Sequence, residues 1–426
     1  MFEDPAVTEI DADEATLVGR IAELEHLKSL AAAGQARLTA ALDEKRRARE
    51  AAEGVPAANR GRGLASEVAL ARRDSPNRGN RHLGFAKALV YEMPHTLAAL
   101  EAGTLSEWRA TLIVRESACL TVEHRKKLDA EMCADRCELE GKGDRRIAAD
   151  AKAIAYRLDP KAVVERAAKA ANDRNVTIRP APDTMAYLTA LLPVHQGVSV
   201  YAALKRAADT TFDERSRGQI MTDTLVERVT GRPAEIPEPI AVNLVLSDHT
   251  LLGDDDSAAH IDGYGPIPAG VARKLVDAAA TDARSRATLR RLYRHPKTGA
   301  LAAMESRSRR FPRALATFIG LRDQSCRTPY CDAPIRHRDH ATPRGRGGPT
   351  NQVNGLGLCE RCNYDKESPG WHVSTTDESG EHTAEFVTPT GRHYHSTAPP
   401  LPGPVEVWDS EIETRISIAL TDLHAA

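Results

Sequence analysis

Four cysteines between residues 326 and 362 form two pairs whose spacing fits a single tetrahedral zinc site. Four residues separate Cys326 from Cys331, and two separate Cys359 from Cys362. Thiolates grouped in two such turns are typical ligands of structural Zn2+. Four unrelated thiols are the alternative, but four of the chain's seven cysteines fall in this short span. The sequence therefore predicts a zinc ion that fixes both ends of the segment.

Side chains that this zinc does not need lie within and beside the two pairs. Asp339 and His340 are adjacent, Asn354 precedes the second pair, and Asn363 directly follows Cys362. Carboxylate and amide oxygens suit Mg2+ or Mn2+, and an imidazole can act as a general base. A segment held at both ends by zinc can therefore position a second, catalytic metal site.

Each of these residues also has a structural alternative. His340 can replace a cysteine on zinc or be a packed polar residue, and Asp339 can pair with a nearby arginine. Asn354 can be a turn residue, with Asn351 as a rival for its role. Asn363 can be a helix cap.

Three aromatic features nearby have structural interpretations. His337 is expected on the surface, and Trp371 is expected to pack against the zinc segment. His393-Tyr394-His395 can hold a metal, although an exposed strand is the favoured interpretation.

The net charge of −2 conceals a strongly basic stretch. From Ala283 to Arg346, fifteen Arg and one Lys face four acidic residues. Such a block in an otherwise acidic chain is typical of a polyanion-binding site, with a solvated Arg-rich face as the alternative. Its position beside a candidate metal site favours nucleic acid.

Hydrophobic spacing predicts a helical first half and shorter mixed elements after it. One long helix is expected from Asp13 to Glu53, and shorter helices from Leu64 to about Ala171. A strand, turn and strand follow near 175–192. Further elements are expected as helices at 199–208, 219–229 and 268–280, strands at 240–246, 335–341 and 354–358, a hairpin at 293–304, and a helix that begins at Cys362.

Several of these residues together resemble a known nuclease signature. Asp339-His340, Asn354 before Cys359, and Cys362-Asn363-x-x-Lys366 resemble the HNH motif on a ββα-metal fold. The flanking residues resemble more narrowly the HNH proteins of the thirteen-E-twelve repeat family, in which a helical domain of unknown function precedes the nuclease. These flanking residues are Arg322-Asp323, Cys326 to Ile335 and Gly347-Gly-Pro-Thr350. The signature covers about 322–371, the wider resemblance about 13–372, and Ala341 departs from it where a larger aliphatic residue is usual.

The resemblance implies a metal-dependent endonuclease that hydrolyses phosphodiester bonds in DNA. His340 would be the general base, Asp339 and Asn363 would hold Mg2+ or Mn2+, and Asn354 would orient the loop or the ring of His340. Zn2+ would be structural, on Cys326, Cys331, Cys359 and Cys362. The expected nucleic-acid contacts are Lys366, Arg338, Arg344 and Arg346.

The expected fold is a mainly α N-terminal region with a small α+β middle part, followed by a ββα-metal module. The predicted domains are 1–231, mainly helical with the hairpin near 175–192, and 240–310, a connecting region with the basic block. The nuclease module is expected at 311–373, and an acidic, Pro-containing and loosely ordered tail at 374–426.

Two other hypotheses remain open from sequence. The chain can be a non-cleaving nucleic-acid-binding protein with a structural zinc, or an interaction scaffold. With no apolar run of about 20 residues and no secretory signal, we expect a cytoplasmic protein with no membrane partner. The aliphatic pattern of the N-terminal helices also permits a homodimer.

Overall fold

The computed structural model describes residues 12–135, 139–211, 213–233, 244–247, 250–251, 255–261, 264–281, 311, 313–378 and 381–402. The chain divides into two compact units after Lys169. This boundary lies inside the predicted 1–231 domain. No helix among the described residues is both long enough and apolar enough to cross a membrane.

The first unit is helical throughout its described elements. They are α1 (Glu14–Ala52), α2 (Leu64–Ala71), α3 (Gly79–Tyr91), α4 (Pro94–Glu101), α5 (Glu107–Ser117), α6 (Val122–Cys133), α7 (Asp144–Leu158) and α8 (Pro160–Ala170). Local signals set their starts, because Asp13 caps α1 by accepting a hydrogen bond from the Thr16 amide, and Pro94 opens α4. The predicted helical N-terminal region is confirmed.

Alanines, not leucines, form the buried face of α1. Ala33, Ala36 and Ala40 are buried where α1 packs against α3 and α4. Ile21 and Leu38, which helped to predict the helix, are 67% and 74% exposed. Small side chains let neighbouring helix axes approach closely, so the alanine stripe selects the packing face.

The second unit begins with the predicted hairpin, β1 (Asn175–Ala181) and β2 (Met185–Leu191), which pair antiparallel. Next come helices α9 (Val194–Thr210) and α10 (Arg217–Thr230), the short antiparallel strands β3 (Leu244–Val245), β4 (Ala259–Ile261) and β5 (Gly265–Ile267), and helix α11 (Ala269–Thr281). The predicted hairpin at 293–304, strand residues 240–243, residues 283–310 of the basic block and Cys137 lie outside the described residues.

The C-terminal part places the four clustered cysteines beside small antiparallel sheets, two in the loop after the first helix and two at the start of the last helix. Its elements are α12 (Arg313–Asp323), β6 (His337–His340), β7 (Gly355–Leu358), α13 (Glu360–Asp365), β8 (His372–Glu378), β9 (Glu381–Val387) and β10 (His393–Thr397). β6 pairs with β7, and β9 lies between β8 and β10. One hydrophobic core surrounds the cysteines, and it includes Leu356, Leu358, Val373 and Phe386.

The expectation of a loosely ordered tail from Ser374 does not fit residues 374–397. They complete β8, β9 and β10, and Ala384 and Phe386 of β9 are almost fully buried. The acidic composition hid alternating apolar residues that face the cysteine core. Residues 403–426 of the predicted tail lie outside the described part of the chain.

Candidate metal centre and adjacent polar site

The four cysteines predicted to bind zinc converge in space. Their sulfur atoms all lie within 4.8 Å of one another, and all four residues are buried. The Cys331 Sγ is 3.9 Å from the Cys359 Sγ and 3.7 Å from the Cys362 Sγ. Zinc–sulfur bonds of about 2.3 Å in a tetrahedron place sulfurs roughly 3.8 Å apart. The four sulfurs are therefore grouped closely enough to bind one zinc ion.

The electrostatics of the cluster also fit a cation. Hydrogen bonds with Cys326 and Cys331, together with burial, raise the pKa of Cys362, whereas hydrogen bonds with the same two thiols lower the pKa of Cys359. Four buried thiols in contact cannot all ionise without compensation. A divalent cation resolves this conflict because it stabilises every thiolate at once.

Asp339 and His340 meet where β6 ends. The His340 backbone amide donates to Asp339 Oδ1 at 2.9 Å, and His340 Nδ1 lies 3.5 Å from the same oxygen. The imidazole is buried, whereas the Asp339 side chain is 37% exposed. Burial opposes ionisation of Asp339, but the Lys366 ammonium and the His340 amide outweigh it and lower the pKa of the carboxyl. An ionised carboxylate therefore stands beside the imidazole.

Thr350, which the sequence did not single out as a site residue, holds the other side of the His340 ring. His340 Nε2 is 2.8 Å from Thr350 Oγ1, and Phe311 packs with its ring centroid 4.7 Å from that of the imidazole. Arg344 donates from Nη1 to the same hydroxyl oxygen at 3.2 Å. Thr350 comes ten residues after His340 and ends the Gly-Gly-Pro-Thr segment. The resemblance of that segment to the HNH proteins is the one sequence signal that could have identified it.

Asn354 holds the backbone that follows His340. Its Oδ1 accepts from the Thr342 amide at 2.9 Å, and its Nδ2 donates to the carbonyls of Thr342 and Pro349 at 3.0 and 2.8 Å. The rival Asn351 accepts from the Asn354 amide at 2.8 Å. Asn354 therefore contacts the loop and not the imidazole, which Thr350 engages.

Asn363 in α13 and Lys366, the residue that caps its C-terminal end, lie on one side of the helix. Residues three apart share a helix face, and from this face Lys366 Nζ reaches Asp339 Oδ2 at 3.2 Å. Asn363 Oδ1 is buried and has no hydrogen-bond partner in the part of the chain that the structure describes. Cys359, and not Asn363, caps the helix. A buried amide oxygen without a protein partner is costly unless an ordered water or an ion takes the partner's place.

Lys366 does not occupy the phosphate-contacting position that was expected for it. Its side chain is only 2% exposed, and its ammonium pairs with both Asp339 and Glu367. A buried ammonium between two carboxylates orients them and cannot reach a polyanion in this arrangement. In this arrangement Lys366 contacts the Asp339 carboxylate and is shielded from solvent.

A buried ionic network joins α12 to β7 and the C-terminal sheet. Asp323 contacts Arg322 Nε at 2.7 Å, Arg327 Nη1 at 2.9 Å and the Gly357 amide at 2.6 Å. Arg327 also donates to the His382 carbonyl at 3.1 Å. Sequence analysis missed the network because its partners are distant along the chain; Arg327 and His382 are 55 residues apart.

The arginines of the basic block fall into different environments. Arg322 and Arg327 are each only 3% exposed, and their guanidinium groups pair with the buried Asp323 carboxylate. Arg344 and Arg346 are exposed in the turn that follows Pro343. Arg338 is exposed, but it alternates with Asp339 along β6 and its guanidinium lies over Gly320 of α12. The structure thus brings Arg344, but not Arg338, to the Asp339–His340 site.

A comparison with protein families assigns the chain from a match that covers residues 22–323. No curated protein and no solved structure matches it. The family model described as "Domain of unknown function (DUF222)" matches residues 22–323, which is more than half of the chain and ends just before the first clustered cysteine. The chain therefore belongs to the DUF222 family.

Proposed function

We propose that residues 311–373 form an HNH-type, metal-dependent endonuclease module that hydrolyses phosphodiester bonds in DNA. The observation that carries the proposal is the buried, unpartnered Asn363 Oδ1, on the helix face from which Lys366 reaches Asp339. β6, β7 and α13 follow one another in the order of a ββα module. The strand pair and the short helix surround the polar residues, and the four thiolates hold the helix.

Asp339 and Asn363 would hold the catalytic Mg2+ or Mn2+. An ionised carboxylate and an amide oxygen that lacks a protein partner are the hard donors that such cations prefer. When bound, the ion would neutralise charge that develops on the phosphate and on the leaving oxygen. Lys366 keeps the Asp339 carboxylate in place from the side of α13.

His340 would accept a proton from the attacking water at Nδ1. If Nε2 carries a hydrogen, it donates to Thr350 Oγ1, which leaves the Nδ1 lone pair on the side of Asp339. In this tautomer Thr350 would hold the ring by accepting from Nε2, and Arg344 holds Thr350. Asn354 fixes the backbone on which the base is mounted. Arg344 and Arg346 would approach the DNA backbone from the adjacent turn.

The test is cleavage of supercoiled plasmid by the purified full chain with Mg2+ or Mn2+. We expect nicked or linear products, and a rate about 10²–10⁴-fold lower for His340→Ala, the loss typical when a general base is removed. His337→Ala is the matched control, because His337 lies on the same strand three residues earlier and its ring faces Tyr364 at 6.1 Å. Zinc content of every variant shows that the cysteine site is intact.

Two outcomes would overturn the proposal and identify another function. If parent and His340→Ala both retain DNA and neither cleaves it, the chain is a nucleic-acid-binding protein with a structural zinc. If neither binds DNA, an interaction scaffold is the better description. Cleavage that is equal in the parent and in His340→Ala would refute the assigned base.

A further inference from the structure

The exposed face of the C-terminal sheet carries a second group of metal-ligand side chains, apart from the cysteines and from the Asp339–His340 site. His393 and His395 are two residues apart on β10 and therefore project from the same face. Glu385 lies directly opposite His395 on β9. This pairing brings two imidazoles and a carboxylate onto one small patch of sheet.

The carboxylate already lies between the two rings. Glu385 Oε1 is 2.8 Å from His393 Nδ1 and 3.9 Å from His395 Nε2. Nitrogen and oxygen ligands of one tetrahedral Zn2+ stand roughly 3.3 Å apart. The two observed separations bracket that value, and rotation of the exposed imidazoles around the shared carboxylate oxygen would bring the two nitrogens together onto a common ion.

The surroundings suit an accessible site and not a closed one. The side chains of His393 and His395 are 58% and 61% exposed. Both residues also line a groove of about 540 Å3 between β10 and the turn that carries Cys326 and Cys331. A metal held here by three protein ligands would keep an open position for water or for an added ligand.

We propose that His393, His395 and Glu385 form a surface site for a divalent transition metal of the zinc class. A set of two imidazoles and one carboxylate suits Zn2+ or Cu2+ better than it suits Mg2+ or Ca2+, which prefer oxygen ligands only. The site is independent of the proposed nuclease chemistry, because none of its residues contacts Asp339 or His340.

The test is equilibrium dialysis of the zinc-containing full chain against free Zn2+ near neutral pH, with bound zinc measured by elemental mass spectrometry. We expect the parent chain to bind one more exchangeable Zn2+ per chain than the double variant His393→Ala/His395→Ala. Glu385→Gln should weaken the extra site by at least about tenfold, the scale of losing a supporting ligand group. His195→Ala, at an exposed histidine of α9, should bind as much zinc as the parent.

Because the comparison is a difference between variants, zinc bound elsewhere in the chain cancels. The tightly held zinc and the circular dichroism spectrum of each variant show that the sheet is intact. Equal stoichiometry and affinity in the parent and the double variant would reduce the patch to an exposed histidine–carboxylate hydrogen bond and overturn the proposal. An equal loss of zinc in His195→Ala would overturn it as well.

Discussion

The buried Asp323 carboxylate should be one of the most sensitive positions in the C-terminal part of the chain. Asp323 is 1% exposed and neutralises two guanidinium groups, those of Arg322 and Arg327, while it accepts from the Gly357 amide. Asp323→Ala leaves both cations buried without their counter-ion. Removing one partner of a buried ion pair typically costs about 3–5 kcal/mol. We expect a loss of stability of that size.

A probe that reports on this region alone is required, because the chain contains two compact units. Co2+ placed in the thiolate site provides it, since its absorption bands disappear when the four cysteines separate. With a denaturant dependence of about 2 kcal/mol/M in urea, the expected loss lowers the unfolding midpoint by roughly 2 M. Asp323→Asn, which keeps an acceptor for the Gly357 amide but loses the charge, should fall between parent and Asp323→Ala.

Asp332→Ala is the matched control. Asp332 is exposed and directly follows Cys331, so its removal should change the free energy of unfolding by less than about 0.5 kcal/mol. An unchanged midpoint for Asp323→Ala would refute the reasoning, because it would mean that the guanidinium groups find solvent or other partners. Equal losses for Asp323→Ala and Asp332→Ala would also contradict it.

Further predictions concern pH, the imidazole partner, phosphate contacts and zinc. Burial lowers the pKa of His382 from its ordinary 6.5 to about 4, so the unfolded chain takes up the proton first as the pH falls. The C-terminal part should therefore lose about 3 kcal/mol of stability between roughly pH 6.5 and pH 4, beyond the general acid effect, and His382→Gln should flatten this dependence in urea titrations at several pH values. Thr350→Val should lower the plasmid cleavage rate about tenfold or more and alter its pH profile while zinc content stays unchanged; an unaltered pH profile would argue against tautomer control. Arg344→Ala/Arg346→Ala should reduce the slope of log affinity for DNA against log salt by about 2, whereas Arg338→Ala should leave the slope unchanged, and equal effects would contradict the assigned positions. Chelation of zinc should abolish the far-ultraviolet signature of the C-terminal part and cleavage together, and Zn2+ should restore both; cleavage that survives zinc removal would refute a structural role.

The four-cysteine cluster and the helical first half could be predicted because their signals are local or follow simple spacing. Cys326 to Cys362 span few residues, and each pair occupies one turn. By contrast, the Asp323–Arg327–His382 network depends on the pairing of β9 with β8 and β10, which no short pattern encodes. A charge count along the sequence treats Arg327 as free, whereas packing buries it.

Within the candidate site, residue types were easier to predict than partners. The oxygen donors of Asp339 and Asn363 predict metal ligands, and this stays a prediction. The ammonium of Lys366 was expected to contact phosphate, and in the structure it contacts Asp339. Asn354 was expected near His340 and reaches only the loop, because the antiparallel register sets Gly355 opposite His340 and leaves Asn354 beside the following turn. Thr350 takes the ring, through a loop closure that spacing does not specify.

Helix α13 is six residues long, far too short to be helical by itself in water. Its first turn carries Cys359 and Cys362, and its remaining residues carry Asn363 and lead to Lys366. If the cysteines bind zinc, folding of this helix would depend on the zinc supply. A cell starved of zinc could synthesise the whole polypeptide and still lack the folded surface that carries Asn363 and Lys366. The same arrangement would make oxidants of thiols general inhibitors, acting at a distance from the base itself.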